Sequence, residues 1–181
     1  MDTWKYFDIT HHDHIVCNPM SLDKIDELIG LLRLKPGARV VEIACGKGEV
    51  LVRLAERYGI CGVGVDISPF CIADARKKQQ ERVPQADLEF IEMDGAQYRP
   101  KSPESFDLAL CLGASWIFQG HQGTLVALEK MAIPGGLIVV GEPYWLKEPL
   151  TSFANHTGTI RASSSSREDN HPLLPGHDHD E

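Results

Sequence analysis

The chain has 181 residues, 43% of them apolar, which fits one domain with enough apolar side chain for a core. Lys and Arg total 18 against 26 Asp and Glu, a formal net charge of -8, which disfavours nucleic acid as a partner and favours a small-molecule or protein substrate. No apolar run approaches the ~20 residues that cross a bilayer, and residues 1–18 lack the charged-then-apolar order of a signal peptide, so a soluble cytoplasmic protein is expected.

Residues 1–20 are rich in aromatics and histidine: Trp4, Tyr6 and Phe7, then His11, His12 and His14. The H-H-x-H pattern has no carboxylate or cysteine partner at ligand spacing, so no metal is expected. Aromatics in an N-terminal segment need something to cover, which suggests a lid or entry segment over a pocket. Asn18-Pro19 breaks the chain. Ser21 then caps a helix to about Arg33, whose apolar stripe is Leu22, Ile25, Leu28, Ile29 and Leu32.

Lys35-Pro36-Gly37 turns the chain into a first strand. Val40, Val41 and Ile43 are continuous and apolar, as in a parallel strand covered on both faces. Ala44-Cys45-Gly46-Lys47-Gly48 follows, and then Val50, Leu51, Leu54 and Ala55 at helical spacing. A strand, a glycine turn and a helix place free amides and open backbone around one point, the arrangement of a nucleotide-type cofactor site.

A second strand, Cys61 to Asp66, ends in a carboxylate 20 residues beyond Gly46, the spacing at which an acid accepts hydrogen bonds from ribose hydroxyls. A strand-end or turn aspartate is the plainer alternative. Ser68-Pro69 opens the next helix, which passes into a charged run, Arg76 to Arg82, read as a solvated face. Asp87 to Ile91 forms a third strand, with Asp94 and Gly95 just beyond it, where a carboxylate can accept from an exocyclic amine. Ser105 to Leu112 is the fourth strand, Gln122 to Met131 a helix, and Leu137 to Gly141 the fifth strand, ended by Glu142-Pro143.

The five cysteines, Cys17, Cys45, Cys61, Cys71 and Cys111, occur singly with no C-x-x-C pair, against a disulfide framework or structural zinc. All read as small hydrophobes except Cys45 and Cys111, whose backbones are candidates to line a cofactor.

E-x-A-x-G-x-G at Glu42 to Gly48, Asp66 after G-V-G-V, Asp94-Gly95, F-D-L-A-L from Phe106 and P-G-G-x-x-x-x-x-E from Pro134 to Glu142 together resemble class I S-adenosylmethionine-dependent methyltransferases. The resemblance runs from about Pro19 to Pro149, in that family's order and spacing. It implies an α/β, Rossmann-like three-layer α/β/α sandwich with a mostly parallel sheet in the order 3-2-1-4-5. It also implies S-adenosyl-L-methionine as cofactor and methyl transfer to a small-molecule acceptor. Carried over by position, Glu42 would hold the amino acid end, and Ala44, Cys45, Gly46 and Gly48 the backbone approach. Asp66 and Ile67 would bind near the ribose, Asp94 and Gly95 near adenine, and Cys111, Leu112 and Gly113 near the methionine amino group. Ala44 stands where the family usually has glycine, a change bearing on affinity rather than on cofactor identity. His12, His14 and Glu142 are the candidate bases. The [DN]-P-P-[YFW] signature of amino-group methylation is absent, since the chain reads Leu112-Gly113-Ala114-Ser115.

The implied organisation is an N-terminal segment (1–20), a cofactor-binding domain (21–149) and a low-complexity tail (150–181). The tail has no strand-length apolar run, so disorder is expected there and the family's last hairpin is expected to be missing. The fifth strand would then be an open edge, available to an oligomer or a partner chain. Two further readings stay open: an inactive cofactor-binding or interaction module, and an NAD(P)-dependent oxidoreductase, which expects G-x-G-x-x-G where this chain has Leu51. Asp66→Ala is expected to weaken cofactor binding and leave the fold intact.

Overall fold

A computed structural model describes residues 3–102 and 105–143. In chain order it shows α1 (Thr3–His11), α2 (Leu22–Leu32), β1 (Arg39–Ile43), α3 (Glu49–Tyr58), β2 (Cys61–Asp66), α4 (Pro69–Arg82) and β3 (Leu88–Glu92). Then come β4 (Phe106–Leu112), α5 (His121–Glu129) and β5 (Ala132–Gly141), with single 3₁₀ turns at Gly95–Gln97 and Ser115–Phe118. The strands form one sheet in the order β3-β2-β1-β4-β5, every neighbouring pair parallel. This is the expected order. Because all five strands run parallel, their carboxyl ends share one rim.

The apolar runs are continuous because successive side chains leave on opposite faces and both faces are covered. Val40, Leu108 and Leu110 point into one core layer with Ile25 and Ile29 of α2, Leu51 and Leu54 of α3, and Ile72 of α4. Val41, Ile43, Ala109 and Cys111 point into the other with Leu128 of α5 and Met131. Each fully buried Leu, Ile or Val contributes roughly 1.5–3 kcal/mol relative to exposure, so these layers dominate the fold's stability. β5 pairs with β4 alone among the described residues.

Four readings of the sequence change. Residues 3–11 are helical. α5 starts at His121 and ends at Glu129, and β5 begins at Ala132, with Ile133 to Gly136 forming an excursion between the pairs Phe106↔Ala132 and Leu108↔Leu137. The charged run on α4 is not simply a solvated face. Arg76 donates to the Phe90 carbonyl at 2.7 Å, and Gln79 donates to the Ala86 and Leu88 carbonyls at 3.1 Å each, tying α4 to the third strand. The chain divides after Gly141, and the expected tail, 150–181, lies outside the described residues.

Lys78 and Arg82 turn inward for a reason that sits on α3. The Glu49 side chain is only 2% exposed and pairs with Lys78 at 2.7 Å, Arg53 at 2.6 Å and Arg82 at 2.9 Å. Arg53 continues to Asp26 of α2 at 2.6 Å and Arg82 to Glu56 at 2.6 Å, so one carboxylate links three helices. Burial pushes the Glu49 carboxyl up, but hydrogen bonds from Lys78, Arg82 and Arg53 outweigh it and hold the group below its usual value. Its stabilising effect is therefore present above the ordinary carboxylate range and lost as pH falls through the lowered value.

The turn after β1 is left-handed at three positions: Ala44 (φ 59), Gly46 (φ 51) and Gly48 (φ 69). A Cβ on Gly48 would lie 2.8 Å from both Ala75 and Phe90 side chains, so glycine there lets the start of α3 press against α4 and β3. Ala44 takes the same backbone region with a Cβ and bears the strain.

Glu49→Gln should lower the unfolding free energy by about 2–3 kcal/mol at neutral pH, because partly buried cations lose their counter-charge. Denaturant titration at pH 7 and in acid would check this, and the variant should lack the wild-type decline contributed by Glu49 in acid. Ala44→Gly should raise stability by about 0.5–1 kcal/mol, the relief of left-handed strain less the extra entropy of an unfolded glycine.

Candidate functional site

A cavity of about 520 Å³ opens at the carboxyl ends of β1, β2 and β4. That is the size class of small-molecule and cofactor sites, at the place in an open α/β sheet where such sites form. Its wall includes Glu42, Ala44, Cys45 and Gly46 from the first strand and turn, Asp66 and Ile67 from the second, Asp94 and Gly95 beyond the third, and Leu112 and Gly113 at the end of the fourth. The strand order brings all ten of these residues together from separate motifs.

Asp66 organises the floor. One carboxylate oxygen accepts from the Gly46 amide at 2.8 Å and the other from the Ser68 amide at 2.9 Å. Burial raises the Asp66 carboxyl above its usual range, against the hydrogen bonds from Ser68, Gly46 and Ile67, which favour the ionised form. The carboxylate thus holds the left-handed glycine turn in place while still facing the cavity. Removing it would leave the Gly46 and Ser68 amides without this acceptor, so a loss of stability is expected beside the loss of binding.

Glu42 is the second acid. It is 3% exposed, and Oε2 is buried with no hydrogen-bond partner among the described residues. Burial pushes its carboxyl well above the usual range, and the Asp66 carboxylate adds to the rise while Lys78 opposes it. A buried, unpartnered carboxylate oxygen on a cavity wall is costly unless a donor arrives from outside the chain. Asp94 accepts from the Ala96 amide at 2.9 Å and caps the short turn that carries Gly95.

Gly48 and Cys111 do not line the cavity. Gly48 is packed beneath the turn, and Cys111 is buried in the second core layer. His12 and His14 are exposed and off the wall, and His12 faces Asp13 at 3.1 Å. Glu142 follows the division after Gly141 and is not among the lining residues. The described residues contain no cluster of histidines, cysteines and acids that could hold a metal ion.

The N-terminal segment expected to cover the pocket does line it, through Phe7 of α1 and Ile15 to Asn18, while Trp116 and Ile117 from the turn after β4 are lining residues that sequence reasoning missed. The segment is held by Lys47, whose ammonium donates to the His11 and His12 carbonyls at 2.9 and 3.0 Å and pairs with Asp74 at 3.1 Å. Asn18 reaches the Leu112 carbonyl at 3.5 Å. Lys47 is the x of G-x-G, a position with no predictable partner until a distant helix end docks there.

Comparison with known proteins matches residues 40–136 to the methyltransferase domain family. The YjhP protein of Escherichia coli K12, itself uncharacterised, is 36% identical over 151 residues, 83% of this chain and 60% of its own. A Thiobacillus denitrificans S-adenosylmethionine-dependent methyltransferase, solved with S-adenosyl-L-homocysteine, is 37% identical with a TM-score of 0.80, covering 91% of this chain and 66% of that one. Trans-aconitate 2-methyltransferase of Methylobacterium nodulans is 32% identical over 124 residues, 68% of this chain and 45% of its own. The chain therefore spans less than two thirds of each of these relatives. With the family's motifs in order along the chain and the family's sheet order in the fold, the protein belongs to the class I S-adenosylmethionine-dependent methyltransferases.

Proposed function

We propose that the cavity binds S-adenosylmethionine and that the protein transfers its methyl group to a nucleophile on a small-molecule acceptor. The observation that carries this reading is the orphaned Glu42 Oε2 beside the Asp66-braced turn. A cationic ammonium on the methionine end supplies the donor that Glu42 lacks. The Asp66 oxygens accept from the Gly46 and Ser68 amides and keep acceptor capacity for a ribose hydroxyl. Gly46 leaves its side of the turn open, since a Cβ there would find only Cys17, at 3.7 Å. Ile67 and Gly95, with Asp94 for the exocyclic amine, suit an adenine ring.

The bound cofactor supplies an already activated methyl, so the protein has to align the acceptor and exclude water. Phe7, Ile15, Trp116 and Ile117 provide an apolar wall suited to that task. The name of the trans-aconitate relative supports a small organic acceptor, as does the net charge of -8. An additional strand pairing along β5, from a second chain, belongs to the same reading. The five-motif match, with Leu51 where a nicotinamide site needs glycine, sets the oxidoreductase alternative aside.

Calorimetric titration tests the cofactor half: S-adenosylmethionine and S-adenosylhomocysteine should bind, and NADH should not. Incorporation of labelled methyl into a metabolite extract tests the transfer half. Asp66→Ala should weaken cofactor binding by about 1–3 kcal/mol and also lower the unfolding free energy by about 1–2 kcal/mol, since two backbone amides lose their acceptor. Unchanged affinity would remove Asp66 from the site.

Glu42→Gln should separate stability from binding. The folded chain holds the Glu42 proton to higher pH than the unfolded chain does, so stability falls as pH rises from the ordinary carboxylate range through the raised value. The glutamine variant should lose that fall and be about 1–3 kcal/mol more stable without ligand at pH 8, while binding the cofactor more weakly. Thermal melts with and without S-adenosylhomocysteine would show the two opposite effects.

A further inference from the structure

The segment from Lys5 to Asn18 covers part of the cavity without a core of its own. None of these residues is fully buried, and Val16 packs only partly buried against the first core layer. Phe7 and Ile15 to Asn18 nevertheless line the cavity. The Cys17 sulfur lies 3.7 Å from where a Cβ on Gly46 would stand, so the segment meets the glycine turn. The Asn18 Cβ lies 3.2 Å from the same point on Gly113, so it also meets the end of β4. A stretch with so little buried apolar surface belongs to the low end of local stability and opens before the sheet does.

The ties that close it are polar, and they converge on Lys47. Its side chain is 7% exposed, and the ammonium meets the His11 and His12 carbonyls at 2.9 and 3.0 Å and the Asp74 carboxylate at 3.1 Å. Three N–H donors thus find three acceptors. His11 ends α1 and His12 follows it, so the cation stands at the negative end of the helix dipole. Asp74 belongs to α4, and Lys78 of the same helix adds a longer contact, 3.4 Å to the Ile15 carbonyl. A buried ammonium is costly unless its donors are met, and two of these acceptors are present only while the segment is down. The Lys47 backbone lies between Gly46 and Gly48, inside the turn that Asp66 braces.

We propose that Lys47 is a positioning residue that latches residues 5–18 over the cavity and couples closure of this cover to a ligand on the glycine turn. With the segment down, a ligand resting on Gly46 is shut in by Cys17 and its neighbours. With the segment raised, the ligand exchanges with solvent. The coupling is reciprocal, so a ligand that orders the turn also holds the cover closed. The latch stands on the contacts of Lys47 alone, whereas its effect on release rests on the cofactor binding proposed above.

Lys47→Met keeps most of the side-chain stem and removes the ammonium. In the unliganded full chain, amide exchange at residues 5–18 should quicken about tenfold while β1, β2 and β4 keep their wild-type exchange. In a stopped-flow chase, S-adenosylhomocysteine should leave the variant about tenfold faster, with an association rate no lower than wild type. Binding should also slow exchange at residues 5–18 less than it does in wild type. Asp74→Asn, at a carboxylate 45% exposed, removes the counter-charge from outside the turn and should quicken the same amides by less. A side chain that merely props the turn would instead lower the association rate and quicken exchange through β1 and α3. That pattern, or unchanged exchange at residues 5–18 in both variants, would overturn the latch, and quickened exchange with unchanged release would overturn the coupling. Failure of the wild type to bind S-adenosylhomocysteine would refute the cofactor reading, and exchange in the unliganded protein would still decide the latch.

Discussion

The structure depends on a contact between neighbouring strand tips, the Asp66 carboxylate accepting the Gly46 amide at 2.8 Å. A left-handed turn has little intrinsic stability, and here it must also carry an alanine at φ 59. The carboxylate supplies a charge-assisted acceptor from outside the turn, and its other oxygen starts α4 by holding Ser68. One half-buried acid therefore sets the turn, the entry to the next helix and the floor of the cavity. That cost in desolvation explains why the residue is tied to two amides instead of lying free.

The acids of the site divide the work by their surroundings. Glu49 is buried but satisfied three times over, and it clamps α2, α3 and α4 through Arg53, Lys78 and Arg82. Glu42 is equally buried and unsatisfied, on the other side of the same turn. The first arrangement stabilises the fold, while the second stores an unmet interaction at a cavity wall. An unmet buried carboxylate on a cavity wall is where a ligand has most to contribute.

Much of this was legible in the sequence because it rests on local pattern. Continuous apolar strands, the glycine turn and the strand-end acids point to a parallel sheet in βα units, and the resemblance to the methyltransferases implied its order. What remained hidden depends on contacts between distant segments. Gly48 looked like a ligand-facing glycine, yet its missing Cβ makes room for Ala75 and Phe90. Lys78 and Arg82 looked solvated because nothing local marks Glu49 as buried. The N-terminal aromatics suggested a cover, but not which ones reach the cavity: Phe7 does, while His12 and His14 point to solvent.

The most direct test of this account is a crystal structure grown with S-adenosylhomocysteine. The account predicts a ribose hydroxyl within hydrogen-bonding distance of Asp66 and the ligand's ammonium within reach of Glu42 Oε2, directly or through one water. Density for the ligand elsewhere, or a bound ligand that leaves Glu42 Oε2 without a partner, would contradict it.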